Sequence, residues 1–148
     1  MRTLAIYGLG VVGAQLALTL ANQVDEGKFM REALQEDGID TKFLQNDPRH
    51  GTGSAIITLD ANGQNDIMVY AGANFGMDES LLKGTDDLFT DCDFLIAQFE
   101  TPQAVTAAAF KQAKAHGVTT ILNPAPAKEI LPELLAVTQS CCQRKTKC

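Results

Sequence analysis

One segment restricts the fold more than any other. From Cys92 to Gln98 the chain is mostly apolar around Phe94-Leu95-Ile96-Ala97. A continuous apolar run of this length suits a parallel strand buried on both faces. Thr101 reads as an N-cap and Pro102 as the first residue of a helix that continues to His116, with Gly117 as its stop. Residues 118–122 then form a second buried strand. After residues 124–129, Leu131, Leu134 and Leu135 mark a closing amphipathic helix. Strand, helix, strand, helix is a βαβ unit, and its strands lie parallel in one sheet. The expected class is therefore α/β.

The first half reads differently. Residues 3–7 are a short β-type run, and residues 14–21 suit a helix. Residues 27–37 suit another helix, with Phe29, Met30, Ala33 and Leu34 on one face and Gly38 at the C′ position. A short strand is expected over 39–44 and a turn over 46–51. Residues 54–60 and 66–70 read as two strands around Ala61-Asn62-Gly63, a hairpin signal. Ala55 and Ile57 share one face of the first strand and Leu59 extends it, because side chains alternate along a strand. That face either covers core or closes over a ligand. Residues 78–82 suit a short helix.

A length of 148 residues is enough for one domain with a core, not for two. The apolar share of 45% and charged share of 20% are those of a globular chain, not a disordered one. A net charge of −6 argues against a nucleic-acid partner. Residues 4–21 are apolar enough to suggest a leader, but Gly8, Gly10, Gly13 and Gln15 interrupt them. No membrane association and a cytoplasmic location are expected. Cys141, Cys142 and Cys148 have no nearby histidine and no CxxC spacing, so no metal site is expected, and Cys92 reads as a small buried residue.

Two features could carry chemistry. Gly8-Leu9-Gly10-Val11-Val12-Gly13 matches G-x-G-x-x-G, the phosphate turn of dinucleotide sites. A second strand ending in an acid should follow its helix, and residues 27–37 look helical instead. A small NAD- or nucleotide-binding Rossmann-type module using Gly8, Gly10 and Gly13 stays open as the alternative. The other feature is Glu100, at the C-terminal end of a parallel strand, where open α/β sheets bind their ligands. A carboxylate there can accept hydrogen bonds from sugar hydroxyls, or it can be a solvated acid favoured by the next helix N-terminus. Asn123 ends the neighbouring strand on the same rim, where it can also serve the turn before Pro124.

Several segments resemble, in order, the ribokinase (PfkB) family of carbohydrate kinases. Gly27-Lys28-Phe29-Met30-Arg31-Glu32-Ala33-Leu34 with Asp37-Gly38-Ile39-Asp40 resembles its early helix and following strand. Gly51-Thr52-Gly53-Ser54-Ala55-Ile56-Ile57 and Tyr70-Ala71-Gly72-Ala73-Asn74 resemble the two ends of its lid. Phe99-Glu100-Thr101-Pro102 resembles its sugar-facing turn, and Leu122-Asn123-Pro124-Ala125-Pro126-Ala127 the strand end after it. The resemblance covers roughly residues 27–138. It implies a partial ribokinase-like, Rossmann-like three-layer domain over 1–148 with a projecting hairpin lid, residues 1–26 and 139–148 being divergent ends. It implies that Glu100 hydrogen-bonds a ribose hydroxyl, that Ala55 and Ile57 line the sugar side of the lid, and that the hairpin carries a homodimer contact. The implied reaction moves the γ-phosphoryl of ATP, with magnesium, to the primary hydroxyl of ribose or a related sugar.

The family's first sugar-binding Asn and Asp, its Asn-x-x-Glu motif and its Gly-Ala-Gly-Asp motif with the catalytic Asp have no counterpart in these residues. No residue is therefore assigned a catalytic, cofactor-binding or metal role, and this chain is expected to be inactive by itself. Codons for Cys142-Gln143-Arg144 can encode Asn-Glu when shifted by one base, and Gly13-Ala14-Gln15-Leu16-Ala17-Leu18 resembles the family's strand before a Gly-Asp-Asp turn. Shifted reading frames at both ends are the expectation.

Overall fold

The apolar runs of the second half form the centre of a parallel sheet. A computed structural model describes residues 3–6, 20–21 and 25–142. Strands β1 (Thr3–Ile6), β6 (Cys92–Gln98), β7 (Thr119–Asn123) and β8 (Ser140–Cys141) lie in the order β1-β6-β7-β8, every pair parallel. Between them in sequence come β2 (Leu20–Ala21), α1 (Asp25–Glu36), β3 (Asn46–Asp47), β4 (Ser54–Leu59), β5 (Asn65–Tyr70) and α2 (Asp86–Thr90). Helices α3 (Gln103–Ala115) and α4 (Pro132–Val137) connect β6 to β7 and β7 to β8. Two short 3₁₀ turns, Gly72–Gly76 and Glu79–Leu82, link the hairpin to α2.

Alternation on β6 explains how α3 is held. Leu95 and Ala97, with Phe99 just beyond the strand, point to one side and are fully buried, while Phe94, Ile96 and Gln98 on the other side are half-buried. On α3 the buried residues Val105, Ala109, Phe110 and Ala113 recur at helical spacing and make one stripe. Alanines at 109 and 113 let the helix approach the sheet, and Phe110 fills the space beside them. Burying that ring contributes about 3 kcal/mol. Gly117 (φ +78°) ends the helix, where the Val118 amide donates to the Ala113 carbonyl at 3.0 Å.

Behind β7, Thr120 is buried and its hydroxyl donates to the Val137 carbonyl at 2.6 Å. Gln139 returns to it, its side chain accepting from the Thr120 amide at 2.8 Å. This clasp sets β8 in register, with Ile121 opposite Ser140.

The hairpin of β4 and β5 stands apart as its own two-stranded antiparallel sheet, with Ser54 opposite Tyr70 and Leu59 opposite Asn65. Its turn is built by Asp60, whose side chain accepts from the amides of Asn62 (2.8 Å) and Gln64 (2.9 Å), and by Gly63 at φ +77°. Those amides hold the Asp60 carboxyl below its ordinary pKa.

Three expectations are corrected. Residues 39–44 are not a strand. The Asp40 carboxylate accepts from the Lys42 amide (2.8 Å), and the Arg31 guanidinium donates to the Leu44 carbonyl at 2.9 Å, so turn bonds replace a ladder. The short pairing falls instead on Asn46–Asp47, parallel to Leu20–Ala21. Leu20 and Ala21 are accordingly strand rather than the end of a helix. Thr101 does not cap α3. Its hydroxyl pairs with that of buried Thr106 at 3.2 Å, and Pro102 takes the cap position. The glycine fingerprint at Gly8, Gly10 and Gly13 lies outside the described residues.

Candidate functional site

The C-terminal rim of the parallel sheet faces the root of the hairpin across a cavity of about 230 Å³. Glu100 lines it from the β6–α3 turn, together with Phe99. Pro126 and Lys128 line it from the segment after β7. Gly53, Ser54, Val69, Tyr70 and Asn74 close it from the hairpin and the turn that follows. The turn bearing Glu100 is pinned from behind, where the Phe99 amide donates to the Ala125 carbonyl at 3.0 Å. Ala125 in turn donates to the Asn123 carbonyl at 2.8 Å, and the Ala125–Pro126 peptide is cis. Asn123 thus serves the turn through its backbone, and Gln98 and Asn123 are paired at the strand ends.

Ala55 and Ile57 are not in the lining. They lie on the face of β4 whose cross-strand partners are Val69 and Ile67, and Val69 reaches the cavity. Ser54 and Tyr70, a cross-strand pair on the opposite face, line the cavity as well, so the hairpin root meets it from both faces. Sequence reasoning missed Lys128 and Phe75. The Lys128 ammonium donates to the Phe99 carbonyl at 3.1 Å and sits 5.0 Å from the Phe75 ring centroid. The only sequence signal was a lysine two residues after Pro126.

The root itself is a glycine crossing. Gly72 has φ +53°, and a Cβ there would overlap the Gly51 carbonyl oxygen, which accepts from the Ala73 amide at 3.0 Å. Beneath it, Asp47 is buried and lies 2.6 Å from His50 Nδ1, and its other oxygen accepts from the Arg49 amide at 2.7 Å. The hydrogen bond with His50 and the Arg49 amide lower the Asp47 pKa against the opposing effect of burial. Gly76 packs directly on this pair, since a Cβ there would meet the His50 ring at 2.6 Å.

A pH dependence follows. The folded Asp47 pKa lies below the ordinary 3.8, so its stabilisation is complete above that value and is lost as the pH falls through the lower, folded one. Asp47→Asn is expected to melt below wild type at neutral pH, with the two melting curves converging in acid. A gap that stays constant down to the acid limit would remove Asp47 from this role.

Among the described residues no group of three or more His, Cys, Asp or Glu side chains could hold a metal ion, and no helix is long and apolar enough to cross a membrane. A parallel sheet whose strand-end turn carries a carboxylate opposite a projecting two-stranded hairpin defines a domain of the open α/β type. The chain belongs to the pfkB family of carbohydrate kinases, whose family model matches residues 6–143. It is 44% identical over 109 residues to a ribokinase of Staphylococcus aureus, covering 74% of this chain and 36% of that protein. A bifunctional ribokinase/ribose-5-phosphate isomerase A of Fructilactobacillus sanfranciscensis is 40% identical over 121 residues, 82% of this chain and 22% of that one. The structure of Arabidopsis thaliana ribokinase complexed with ribose and ATP is similar with a TM-score of 0.75 at 26% identity, covering 84% of this chain and 41% of that chain. The chain thus spans well under half the length of these relatives.

Proposed function

We propose that this chain is the sugar-binding and lid portion of a ribokinase. Glu100 accepts hydrogen bonds from ribose hydroxyls, and the hairpin face bearing Ala55 and Ile57 closes over the sugar. The observation that carries this is the cavity shared by Glu100 and the hairpin root. At about 230 Å³ it is smaller than the roughly 300–1,000 Å³ of drug-sized pockets, which suits a monosaccharide. The Arabidopsis relative bound to ribose and ATP supports the same substrate class.

The parent reaction joins the γ-phosphoryl of ATP to the primary hydroxyl of ribose, and it needs charge neutralisation and a base for the hydroxyl proton. Among the residues that line the cavity Glu100 is the one carboxylate, so no Asp stands there as a base. On this reading these residues hold the sugar side of the reaction, and the chain by itself is expected to transfer no phosphoryl group. We also assign the outward face of the hairpin to contact with a second copy.

Titration calorimetry with ribose tests the site. Wild type binds ribose, and Glu100→Gln lowers the affinity roughly 10- to 100-fold, the worth of one hydrogen bond to a charged group. The melting temperature should stay near wild type, because Glu100 is only half-buried. Equal affinities in the two proteins would refute the assignment of Glu100, and ATP-dependent turnover of ribose by this chain would refute its inactivity.

A further inference from the structure

We infer that Lys128 is a positioning residue that ties the hairpin root to the turn carrying Glu100. This rests on the reading of Glu100 as the sugar-contacting carboxylate. A surface lysine ordinarily keeps its ammonium in water and its rotamers free. Lys128 is an exposed residue too, yet its ammonium has two protein partners. Its ammonium donates to the Phe99 carbonyl at 3.1 Å, on the residue immediately before Glu100. The same nitrogen lies 5.0 Å from the ring centroid of Phe75, in the 3₁₀ turn directly after the hairpin.

One cation therefore joins three segments: its own loop after β7, the β6–α3 turn and the lid root. All three line the same cavity. Phe75 is 51% exposed, so burial in the core does not fix its ring, and the ammonium is a partner that can. The bond fixes the Phe99 carbonyl, and the Phe99 amide is fixed by Ala125, so the peptides on both sides of Phe99 are oriented before a sugar arrives. Removing the charge while keeping the stem frees the lid root and the Glu100 turn from each other.

Amide hydrogen exchange on the whole chain tests this, with Lys128→Met and Lys128→Arg beside wild type. The reporters are the amides of Ala73, Asn74 and Phe99, each bonded to a backbone carbonyl around the cavity. In Lys128→Met they should exchange about tenfold faster, while core amides of β6 and β7 keep their rates. Arginine donates to carbonyls and stacks on rings, so Lys128→Arg should restore slow exchange. Ribose affinity should fall about tenfold in Lys128→Met, the worth of one charge-assisted hydrogen bond, and recover in Lys128→Arg. Unchanged exchange at the three reporters overturns the tie. So does uniform acceleration across the core that arginine fails to rescue, which would be general loss of stability. Equal ribose affinity in wild type and Lys128→Met overturns the effect on binding. If wild type binds no ribose, the sugar reading of Glu100 falls, and the exchange rates still decide the tie.

Discussion

Gly72→Ala is expected to unseat the lid and to lower stability by about 3 kcal/mol or more, with a fall in melting temperature of roughly 10 °C. Two costs combine at this position. An alanine at φ +53° is strained by itself. The added methyl would also overlap the Gly51 carbonyl oxygen and approach Gly53 N to 3.0 Å and Thr52 C to 3.1 Å. Those atoms are backbone, so no rotamer change relieves the overlap. The two chain segments must separate, which breaks the bond from the Ala73 amide to the Gly51 carbonyl. Gly63 offers the internal comparison: its φ of +77° is similarly left-handed, but nothing lies within 4 Å of an added Cβ. Gly63→Ala should cost only about 1 kcal/mol. Circular dichroism melts of the two variants decide the matter, and equal small losses would show that the crossing at Gly72 does not hold the root.

The second large effect concerns self-association. Seven apolar residues of the hairpin, among them Ile56, Ile57, Leu59 and Met68, are between 47% and 71% exposed. Cross-strand pairing divides them between two faces. Ala55, Ile57, Ile67 and Val69 lie on one face, which the proposed function turns toward the sugar, and Ile56 and Met68 pair on the other. A closing lid can cover only the first. The second is an apolar surface that a monomer would leave in water, and such patches mark association sites. Ile56→Asp is therefore expected to convert a dimer to monomer and to raise the dissociation constant at least about 100-fold, because a two-fold interface would bury two unpaired carboxylates. Sedimentation velocity reads this directly. A wild-type protein that stays monomeric at high concentration would defeat the assignment, and the variant leaves the sugar-facing side of the hairpin intact.

How much could be read in advance depended on the range of the interactions involved. The hairpin was legible because Asp60 and Gly63 build its turn within a few residues. Strands β6 and β7 and helix α3 were legible because apolar runs and the α3 stripe reflect burial that must be written into the sequence. The strand expected over 39–44 failed because the Thr41 and Leu44 carbonyls are taken by Arg31, ten and thirteen residues away in the chain. A strand propensity cannot anticipate a guanidinium arriving from another helix. Thr101 failed as a cap for a similar reason, since a buried neighbour, Thr106, competes for its hydroxyl.

At the site the division is sharper. The sequence by itself determined the α/β class, the place of Glu100 at a strand end and the face shared by Ala55 and Ile57, since periodicity and chain order suffice for each. Only the tertiary structure decided that Glu100 shares a cavity with Val69 and Tyr70, that Gly72 crosses Gly51, and that Lys128 reaches both Phe99 and Phe75. Each of those contacts joins segments about 20 or more residues apart. Their geometry depends on how a separate two-stranded lid leans over the sheet, and no local pattern of side chains encodes that angle.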